Sequence, residues 1–309
     1  MRIKILGSAA GGGFPQWNCG CVLCRGVRER KLSTSARTQC QVAISSGGEE
    51  WFLLNASPDL RAQIEGTAEL HPRAVRQSSI AGVLVTGGDL DQVLGLLLLR
   101  ELQPIRIYAT ASVRRLLKDD NTFFNMLSQE PGQSFWTDIT PGVPFTLASP
   151  TGSNSVLVCQ PMALQGGFPA YVGKKRASTL LASQAALGLV IESNHGGGRL
   201  AYFPVVADLD ANLTTVLNSC DLLVFDGTFW NDDELIRIQG GGRTARQMGH
   251  LPISGPGGSL ERLSQLQRPR KIFVHINNTN PILDQNSPEY QEVRNAGWEV
   301  AEDGWEFKL

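Results

Sequence analysis

The chain has 309 residues, of which 42% are hydrophobic and 18% are charged, so it is long enough to bury a large core. Its formal net charge of −1 argues against a basic surface for nucleic acid or anionic lipid. The longest apolar run, Val93 to Leu99, contains Gly95 and is too short to cross a bilayer. We therefore expect small molecules or specific proteins as partners, with no nucleic acid and no membrane insertion.

Strand-like runs alternate with helical patterns along the chain, which predicts a layered α/β fold. The strand-like runs are short and rich in β-branched residues, and they lie at 3–6, 41–45, 51–54, 82–85, 105–109, 186–192, 200–204, 221–225, 271–275 and 298–301. The helical patterns lie at 57–65, 90–102, 112–117, 209–219, 258–267 and 287–296.

No linker rich in Pro, Gly or Ser divides the chain, so we predict one domain over residues 1–309. The stretch from Gly152 to Ala185 is the least regular part and contains the basic run Lys174 to Arg176. It is interpreted either as a mobile surface loop or lid, or as an ordinary long connection.

Three cysteines lie within six residues, at Cys19, Cys21 and Cys24. Zinc prefers tetrahedral thiolate and imidazole ligands, and a CxCxxC loop supplies three of them, with Gly20 allowing a tight turn. A disulfide would leave one of the three thiols unpaired. The remaining cysteines, which are typical of buried thiols, stand singly in the sequence at Cys40, Cys159 and Cys220. The pattern therefore favours a structural zinc site.

The first residues, Met1 to Leu6, lead directly into glycines and include no long apolar signal region. This pattern predicts a cytoplasmic location. A reducing compartment further disfavours disulfides.

An apolar strand, Val83 to Val85, leads through Thr86 into a helical pattern that begins near Asp89. Active sites of α/β proteins favour the carboxyl ends of strands. Asp89 could equally cap the helix, so the residues alone leave both roles open.

The segment from Thr86 to Gln92 resembles the THxHxDH signature of the metallo-β-lactamase superfamily. Thr86 and Asp91 match the signature, whereas Asp89 stands in place of its second His. Gly87 and Gln92 replace its first and last His. Further segments that resemble superfamily landmarks follow in order at 53–57, 223–228, 248–250 and 273–275.

Longer blocks resemble a narrower family within that superfamily, the coenzyme PQQ synthesis protein B family. These blocks run from the first strand to near the end of the chain, at 7–19, 55–61, 226–230, 248–251 and 275–281. The resemblance implies a four-layer αβ/βα sandwich with its site at the rim between two sheets. It also implies a role in making pyrroloquinoline quinone (PQQ), a cofactor built from a linked Glu and Tyr.

Two roles within that pathway stay open. The chain could bind a PQQ intermediate as a metal-dependent oxygenase that hydroxylates the tyrosine-derived ring. The alternative is a non-catalytic carrier involved in transport of PQQ or its precursor to the periplasm. A hydrolase acting on esters or phosphodiesters is disfavoured because His ligands are missing, and a fold alone does not define a function.

The resemblance implies one active-site metal at most, namely Fe, Mn or Zn. Gly87 offers no side chain, and Val205 stands where many relatives carry a bridging Asp. Asp89, Asp91 and His275 are the expected ligands of this metal.

His250 either completes the metal's shell or acts as a proton donor, and with Asp226 it forms the expected catalytic pair. Two imidazoles and a carboxylate with open positions suit Fe(II) oxygen chemistry. Gln92 stands where the family usually has His, and a neutral amide is a weaker ligand. A weakly metallated site that only binds its ligand therefore stays open.

The cysteine site needs a fourth ligand, and Asn278 is the expected one because a related phosphodiesterase has His at the equivalent position. Asn55, Ser57 and Asp59 lie at a strand-to-helix junction, where they either contact the PQQ-related ligand or cap the helix. Cationic side chains that could contact an acidic ligand, or form ordinary surface charge, are Arg61, Lys174, Lys175 and Arg176. We assign His71 and His195 to the surface, and the sequence leaves homodimerisation open.

Overall fold

The computed structural model describes all residues, 1–309. Its strands are β1 (Arg2–Gly7), β2 (Gln41–Ser45), β3 (Trp51–Leu54), β4 (Ile80–Leu84), β5 (Ile105–Ala109), β6 (Ser134–Asp138), β7 (Phe145–Ala148), β8 (Asn154–Ala163), β9 (Leu187–Ser193), β10 (Leu200–Phe203), β11 (Leu222–Asp226), β12 (Arg270–Val274), β13 (Trp298–Val300) and β14 (Glu306–Lys308). Its α-helices are α1 (Val22–Arg28), α2 (Leu60–Glu65), α3 (Leu90–Val93), α4 (Ala111–Arg114), α5 (Lys174–Ala177), α6 (Ala211–Asn218), α7 (Glu234–Gln239), α8 (Ser259–Arg262) and α9 (Pro288–Asn295). None of the helices has the length and apolar character needed to cross a membrane.

The chain divides into two compact units. The first unit comprises residues 1–6, 41–199 and 304–309, and the second comprises residues 7–40 and 200–303. The prediction of a single domain stays a prediction.

The first unit contains a mixed sheet with the strand order β14-β1-β2-β3-β4-β5-β6. Strands β3 to β6 are parallel, and buried residues such as Trp51, Val83 and Ile107 form the core with Leu60 of α2 and Val113 of α4. The same unit contains the antiparallel strands β7, β8 and β9. Parallel and antiparallel strands with helices packed on them give the α/β class expected from the sequence.

The prediction of an irregular stretch over 152–185 is wrong at residues 154–163, which form β8. This strand pairs antiparallel with both β7 and β9. Pro161 lies inside it opposite Leu189, and proline usually argues against a strand between two partners. Because of Pro161, the sequence did not predict β8, which has ten residues.

The helical pattern predicted over 90–102 becomes α3 followed by a tighter 3₁₀ segment, Leu94–Leu99. Here the backbone packs directly on the turn after β3, because Gly95 donates its N–H to Ala56 O at 2.9 Å. A Cβ at Gly95 would lie only 2.2 Å from Ser57 O. Glycine is therefore required for this close approach.

The second unit is built on four parallel strands, β10 to β13. Phe273 of β12 stacks on Trp298 of β13 with ring centroids 4.1 Å apart, and both side chains are fully buried. Since carboxyl ends of parallel strands meet at one edge of a sheet, residue Asp226 at the end of β11 lies beside His275, which follows β12.

Candidate functional site

Two histidines meet at the carboxyl edge of the parallel strands in the second unit. His275 follows β12, and His250 comes from the turn after residues 246–248. Their rings stack with centroids 5.4 Å apart and planes 23° apart. Donor atoms of both rings and of Asp226 lie within 4.8 Å of one another. The structure therefore brings together three residues that the sequence predicted for the site.

Thr228 holds both rings in place. Its Oγ1 lies 3.0 Å from His250 Nδ1 and 2.8 Å from His275 Nδ1, and it donates its own hydrogen to Asp226 Oδ1 at 2.6 Å. Because that hydrogen is already used, Thr228 Oγ1 can only accept from the two rings. Both imidazoles therefore carry a proton on Nδ1, so a metal bound by neutral rings would take Nε2.

Asp226 orients this arrangement and has little capacity left to bind a metal. Its Oδ1 accepts from the N–H and the hydroxyl of Thr228, at 3.0 and 2.6 Å. Its Oδ2 accepts from Val206 N and from His250 Nδ1, both at 2.8 Å. A carboxylate offers about four acceptor sites, and all are used here. These hydrogen bonds hold His250 beside Asp226, and a catalytic role of the pair stays a prediction.

Asp226 is fully buried, and burial alone would raise the pKa of its carboxyl. The positive potential and hydrogen bond of His250, the charge of His275 and the Thr228 hydrogen bond outweigh burial and lower this pKa. An ionised Asp226 therefore favours Nδ1 protonation of His250.

His275 has a backbone that side chains rarely adopt, with φ of 57°. Strain of this kind costs about 1–3 kcal/mol and persists only where neighbouring structure imposes it. Ile276 supplies that restraint, because its N–H donates to Ser8 O at 3.0 Å and its carbonyl accepts from Ala10 N at 2.9 Å. The sharp turn directs His275 out of the strand and toward Thr228.

A second cluster in the same unit consists of Cys19, Cys21 and Cys24, whose sulfurs lie within 4.8 Å of one another. Cys21 caps the N-terminus of α1, where its sulfur accepts from Cys24 N at 3.4 Å, and Cys19 Sγ accepts from Cys21 N at 3.5 Å. Thiolates around a tetrahedral zinc lie about 3.8 Å apart, given a Zn–S distance of about 2.3 Å. The cluster therefore has the donor type and spacing that zinc requires.

The thiols of Cys19 and Cys24 differ in acidity. Burial raises the pKa of Cys24 to about 11. At Cys19 burial acts in the same direction, but hydrogen bonds from Cys21, Cys24 and Asn278 together lower the pKa. Because a metal must displace the Cys24 proton, binding at this cluster should strengthen as pH rises.

Asn278 lies against the cysteine cluster, and its role as fourth zinc ligand stays a prediction. Its Nδ2 is 3.3 Å from Cys24 Sγ and 3.9 Å from Cys21 Sγ, and the residue is 4% exposed. A half-turn of the side-chain amide would exchange Nδ2 for Oδ1 at the sulfurs. Only two residues separate Asn278 from His275, so one loop joins the two clusters.

Glu234 anchors that loop, and sequence reasoning missed both it and Thr228. Its Oε1 accepts from Thr279 Oγ1 at 2.5 Å and its Oε2 from Trp230 N at 2.6 Å. Burial raises the pKa of this carboxyl to about 7. Thr228 had one available signal, since it stands two residues after the strand-end Asp226. Glu234 has none.

In the first unit, Asn55 follows β3 and holds the segment 85–92 after β4, which we call the strand-end loop. With φ of 68°, it accepts from the N–H and hydroxyl of Thr86 through Oδ1, at 2.8 and 3.0 Å. Ser57 accepts from Asp59 N at 3.0 Å and donates to Gln63. Asn55 and Ser57 are buried and engaged in this scaffold. Contact of Asn55, Ser57 or Asp59 with a ligand stays a prediction.

Asp89 precedes α3 without capping it through its side chain, and Asp91 lies in the first turn. Both acids belong to the first unit and His275 to the second, and the ligand set Asp89, Asp91 and His275 stays a prediction. His195 is exposed and His71 is partly exposed.

Gln92 occupies the space where the superfamily signature has a His side chain at position 87. A Cβ at Gly87 would lie 2.4 Å from Gln92 Oε1, which is buried and has no hydrogen-bond partner. A side chain at position 87 would therefore require the Gln92 side chain to move. The loop does not fit the full two-metal ligand set of the superfamily.

Comparisons with known proteins show that the chain is similar to relatives that share one name and one superfamily. A family model described as "Beta-lactamase superfamily domain" matches residues 50–276. The chain is 44% identical to coenzyme PQQ synthesis protein B of Pseudomonas entomophila, with all of both chains covered. It is 43% identical to the protein of the same name from Pseudomonas putida, also with full coverage of both.

Solved structures agree with this relationship. The Zn(2+)-bound PqqB from Methylobacterium extorquens matches with a TM-score of 0.91 and 38% identity over all of both chains. A diphosphatase from the PhnP family matches with a TM-score of 0.68 and 19% identity, over 100% of this chain and 98% of that one. The second similarity concerns the fold alone. The expected metallo-β-lactamase-like α/β sandwich is confirmed.

Proposed function

The chain belongs to the coenzyme PQQ synthesis protein B family of the β-lactamase superfamily, and from this membership we propose that it acts in PQQ biosynthesis by binding an intermediate of the cofactor. A small-molecule partner of this kind agrees with a chain that carries almost no net charge. A cytoplasmic location and homodimerisation stay predictions.

We further propose that the bound intermediate is hydroxylated on its tyrosine-derived ring with one redox-active metal. The observation that carries this proposal is the pair of imidazoles that Thr228 and Asp226 hold with protons on Nδ1. Nε2 of His250 and His275 would hold the metal, and Asp89 and Asp91 stay its predicted carboxylate ligands. A bound Fe(II) would supply oxygen activation, which suits two histidines and one carboxylate.

The residues of the chain would act through orientation and charge. Asp226 stays ionised and keeps His250 in one tautomer, while Thr228 aligns His250 with His275. The strained backbone of His275 fixes the direction of its ring. Such fixed ligands need no rearrangement when a metal or substrate binds.

The test of this role is oxygen uptake by anaerobically purified, Fe(II)-loaded protein mixed with the Glu-Tyr-derived intermediate. With ¹⁸O₂ and a two-electron reductant such as ascorbate, the hydroxylase role predicts oxygen consumption, one ¹⁸O atom in the product and the second oxygen atom released as water. Asp226→Asn should lose most of the rate, because its single amide oxygen cannot accept from both His250 and Thr228. Thr215→Val, an exposed change on α6, serves as control. Tight binding of the intermediate without oxygen consumption would contradict the hydroxylase role.

A non-catalytic carrier is the second candidate, and Gln92 favours it. An amide in place of the family's usual His weakens any metal site that includes position 92. A carrier predicts saturable binding of PQQ, unaffected by metal removal. An affinity for PQQ that disappears with a chelator would contradict the carrier role.

For the cysteine cluster we propose a structural zinc held by Cys19, Cys21 and Cys24, with Asn278 Oδ1 as fourth ligand. Support comes from the distances among the three sulfurs and from the buried amide beside them. Zinc is also present in the Methylobacterium extorquens relative. This zinc would stabilise the loop that carries His275.

A further inference from the structure

A segment of the first unit, residues 164–186, crosses the strand-end loop, and we call it the strap. Its ends are joined by a hydrogen bond from Leu164 N to Ala186 O at 3.0 Å, and Leu187 N donates to Thr86 O at 2.8 Å. In its middle, the Tyr171 hydroxyl donates to Gly88 O at 2.6 Å. The strap is thus fixed beside the loop that contains Asp89 and Asp91.

A cavity of about 460 Å³ opens on the strap, directly after Tyr171. Its lining residues are Val172, Gly173, Lys174, Lys175, Arg176 and Thr179. Arg176 is already neutralised, because Asp120 accepts from its Nε at 2.6 Å and from its Nη2 at 2.9 Å. This bidentate pair fixes one wall of the cavity.

The two lysines of the cavity carry uncompensated charge. Lys174 and Lys175 are exposed, and neither has a carboxylate within ion-pairing distance. In a chain with a net charge of −1, two adjacent unpaired ammonium groups beside a cavity attract small anions. Lysine ammonium groups bind carboxylates as point charges and tolerate several geometries.

We propose that this cavity is a carboxylate-binding subsite, in which Lys174 and Lys175 bind carboxylates of the PQQ intermediate. The proposal rests on the proposed function, because a linked Glu and Tyr bring three carboxylates to the molecule. The subsite would hold the acidic end of the ligand next to the strand-end loop. Tyr171 is a positioning residue here, since its hydrogen bond to Gly88 fixes the cavity relative to that loop.

The acidity of Tyr171 agrees with a permanent hydrogen-bond donor. Burial, together with the negative charge of Asp89, raises the pKa of its hydroxyl to about 12. The phenol therefore stays protonated across the physiological range. The bond to Gly88 O should not depend on pH between 6 and 9.

The test is equilibrium binding of PQQ, itself a tricarboxylate, to the full chain by calorimetry. Lys174→Gln combined with Lys175→Gln should raise Kd about tenfold, whereas Lys308→Gln, an exposed lysine on β14, should leave Kd unchanged. Raising the salt from about 0.05 to about 0.5 M should weaken wild-type binding more than binding by the double variant. The PQQ trimethyl ester should bind wild type and double variant equally.

Tyr171→Phe tests the positioning role of Tyr171 separately from the charge of the two lysines. It should raise Kd several-fold and keep the wild-type salt dependence, because both lysines remain. A Tyr171→Phe affinity equal to wild type would overturn the positioning role.

Normal PQQ affinity in the double lysine variant would overturn the subsite and leave the proposed function standing. Failure of the wild-type chain to bind PQQ at either salt concentration would overturn the subsite and the carrier role, and leave binding of an intermediate standing. Circular dichroism establishes that each variant is folded before its affinity is compared.

Discussion

The tautomer of two imidazoles depends on one threonine hydroxyl and one buried carboxylate. Thr228 donates to Asp226 and accepts from His250 and His275, which leaves one consistent placement of the protons. In metal sites such hydrogen bonds from beyond the ligands set ring orientation and basicity. Metal affinity at this site should therefore depend on a residue that does not touch the metal.

Thr228→Val tests this dependence, because it removes the hydroxyl and keeps the volume. We expect metal affinity at the histidine pair to fall by about 10- to 100-fold. A competition titration with a chromophoric chelator measures this affinity. Thr215→Val is the matched control. Equal affinities for wild type and Thr228→Val would show that the hydroxyl does not position the rings.

Glu234 predicts a specific pH dependence of stability. Burial raises the pKa of its carboxyl from 4.5 to about 7, so between these values the folded chain keeps a proton that the unfolded chain has lost. Stability from this residue is therefore present below pH 4.5 and decreases as pH rises to about 7, by about 3 kcal/mol.

Glu234→Gln should remove that decrease, since an amide can donate to Thr279 and accept from Trp230 at every pH. Urea unfolding of both proteins at pH 5 and pH 8 measures the effect. The free energy of unfolding of the variant minus that of wild type should be larger at pH 8 than at pH 5. If the free energies of unfolding of the two proteins differ by the same amount at both pH values, the raised pKa of Glu234 is contradicted.

At the scale of elements, the loop after β12 carries both His275 and Asn278. Hydrogen bonds hold the loop from several sides: Ile276 to Ser8 and Ala10, Thr279 to Glu234, and Asn280 Nδ2 to Gly227 O at 2.9 Å. A metal at the cysteines would add a further restraint through Asn278.

Asn278→Ala should weaken zinc binding and lower the melting temperature, whereas Asn278→Asp should retain zinc because a carboxylate replaces the amide oxygen. Zinc release to a chelator and thermal unfolding measure both effects. Asn286→Ala, an exposed change just beyond the loop, is the control. Unchanged zinc release from Asn278→Ala would assign the fourth ligand to another group.

Gly95 makes a separate prediction about the packing of the first unit. Gly95→Ala would place Cβ 2.2 Å from Ser57 O and should reduce the free energy of unfolding by about 1–3 kcal/mol. Gly47→Ala is the control, because no atom lies within 4 Å of the added carbon. Urea unfolding compares the variants. A loss no greater for Gly95→Ala than for Gly47→Ala would show that the backbone relaxes freely.

Periodicity predicted those elements whose pattern arises from local burial. The predicted strands at 41–45, 51–54 and 105–109 match β2, β3 and β5 residue for residue. The pattern failed at β8, where Pro161 lies opposite Leu189, because the strand depends on partners distant in sequence. Helix α1 was not predicted, because its seven residues are too few to show a clear helical periodicity.

The site residues that could be predicted were likewise those with a local sequence pattern. Cys19, Cys21 and Cys24 were recognisable because their spacing is local, and His275 because it ends a strand inside a distinctive block. The roles of Thr228 and Glu234 depend on contacts made only after folding. The sequence showed that Gln92 stands in place of a His. It did not show that the Gln92 side chain lies against Gly87, because this contact forms only in the folded chain.

At the scale of the whole molecule, each compact unit contains parallel strands that end in a polar loop. Asn55 and Thr86 organise this edge in the first unit, and Asp226 and Thr228 organise it in the second. Strained backbones occur at both edges, with positive φ at Asn55 and at His275. Such strain concentrates at functional sites, which supports a role for both edges in ligand binding.

Metal content tests the central claim, which is that the chain holds a structural zinc at the cysteines and a separate working metal at the histidines. Mass spectrometry would be applied to anaerobically purified wild type, Cys21→Ser and His275→Ala. We predict two metals in wild type, loss of zinc with retention of the second metal in Cys21→Ser, and the reverse in His275→Ala. A single zinc unaffected by His275→Ala, even after loading with iron or manganese, would contradict the working centre and leave the carrier role.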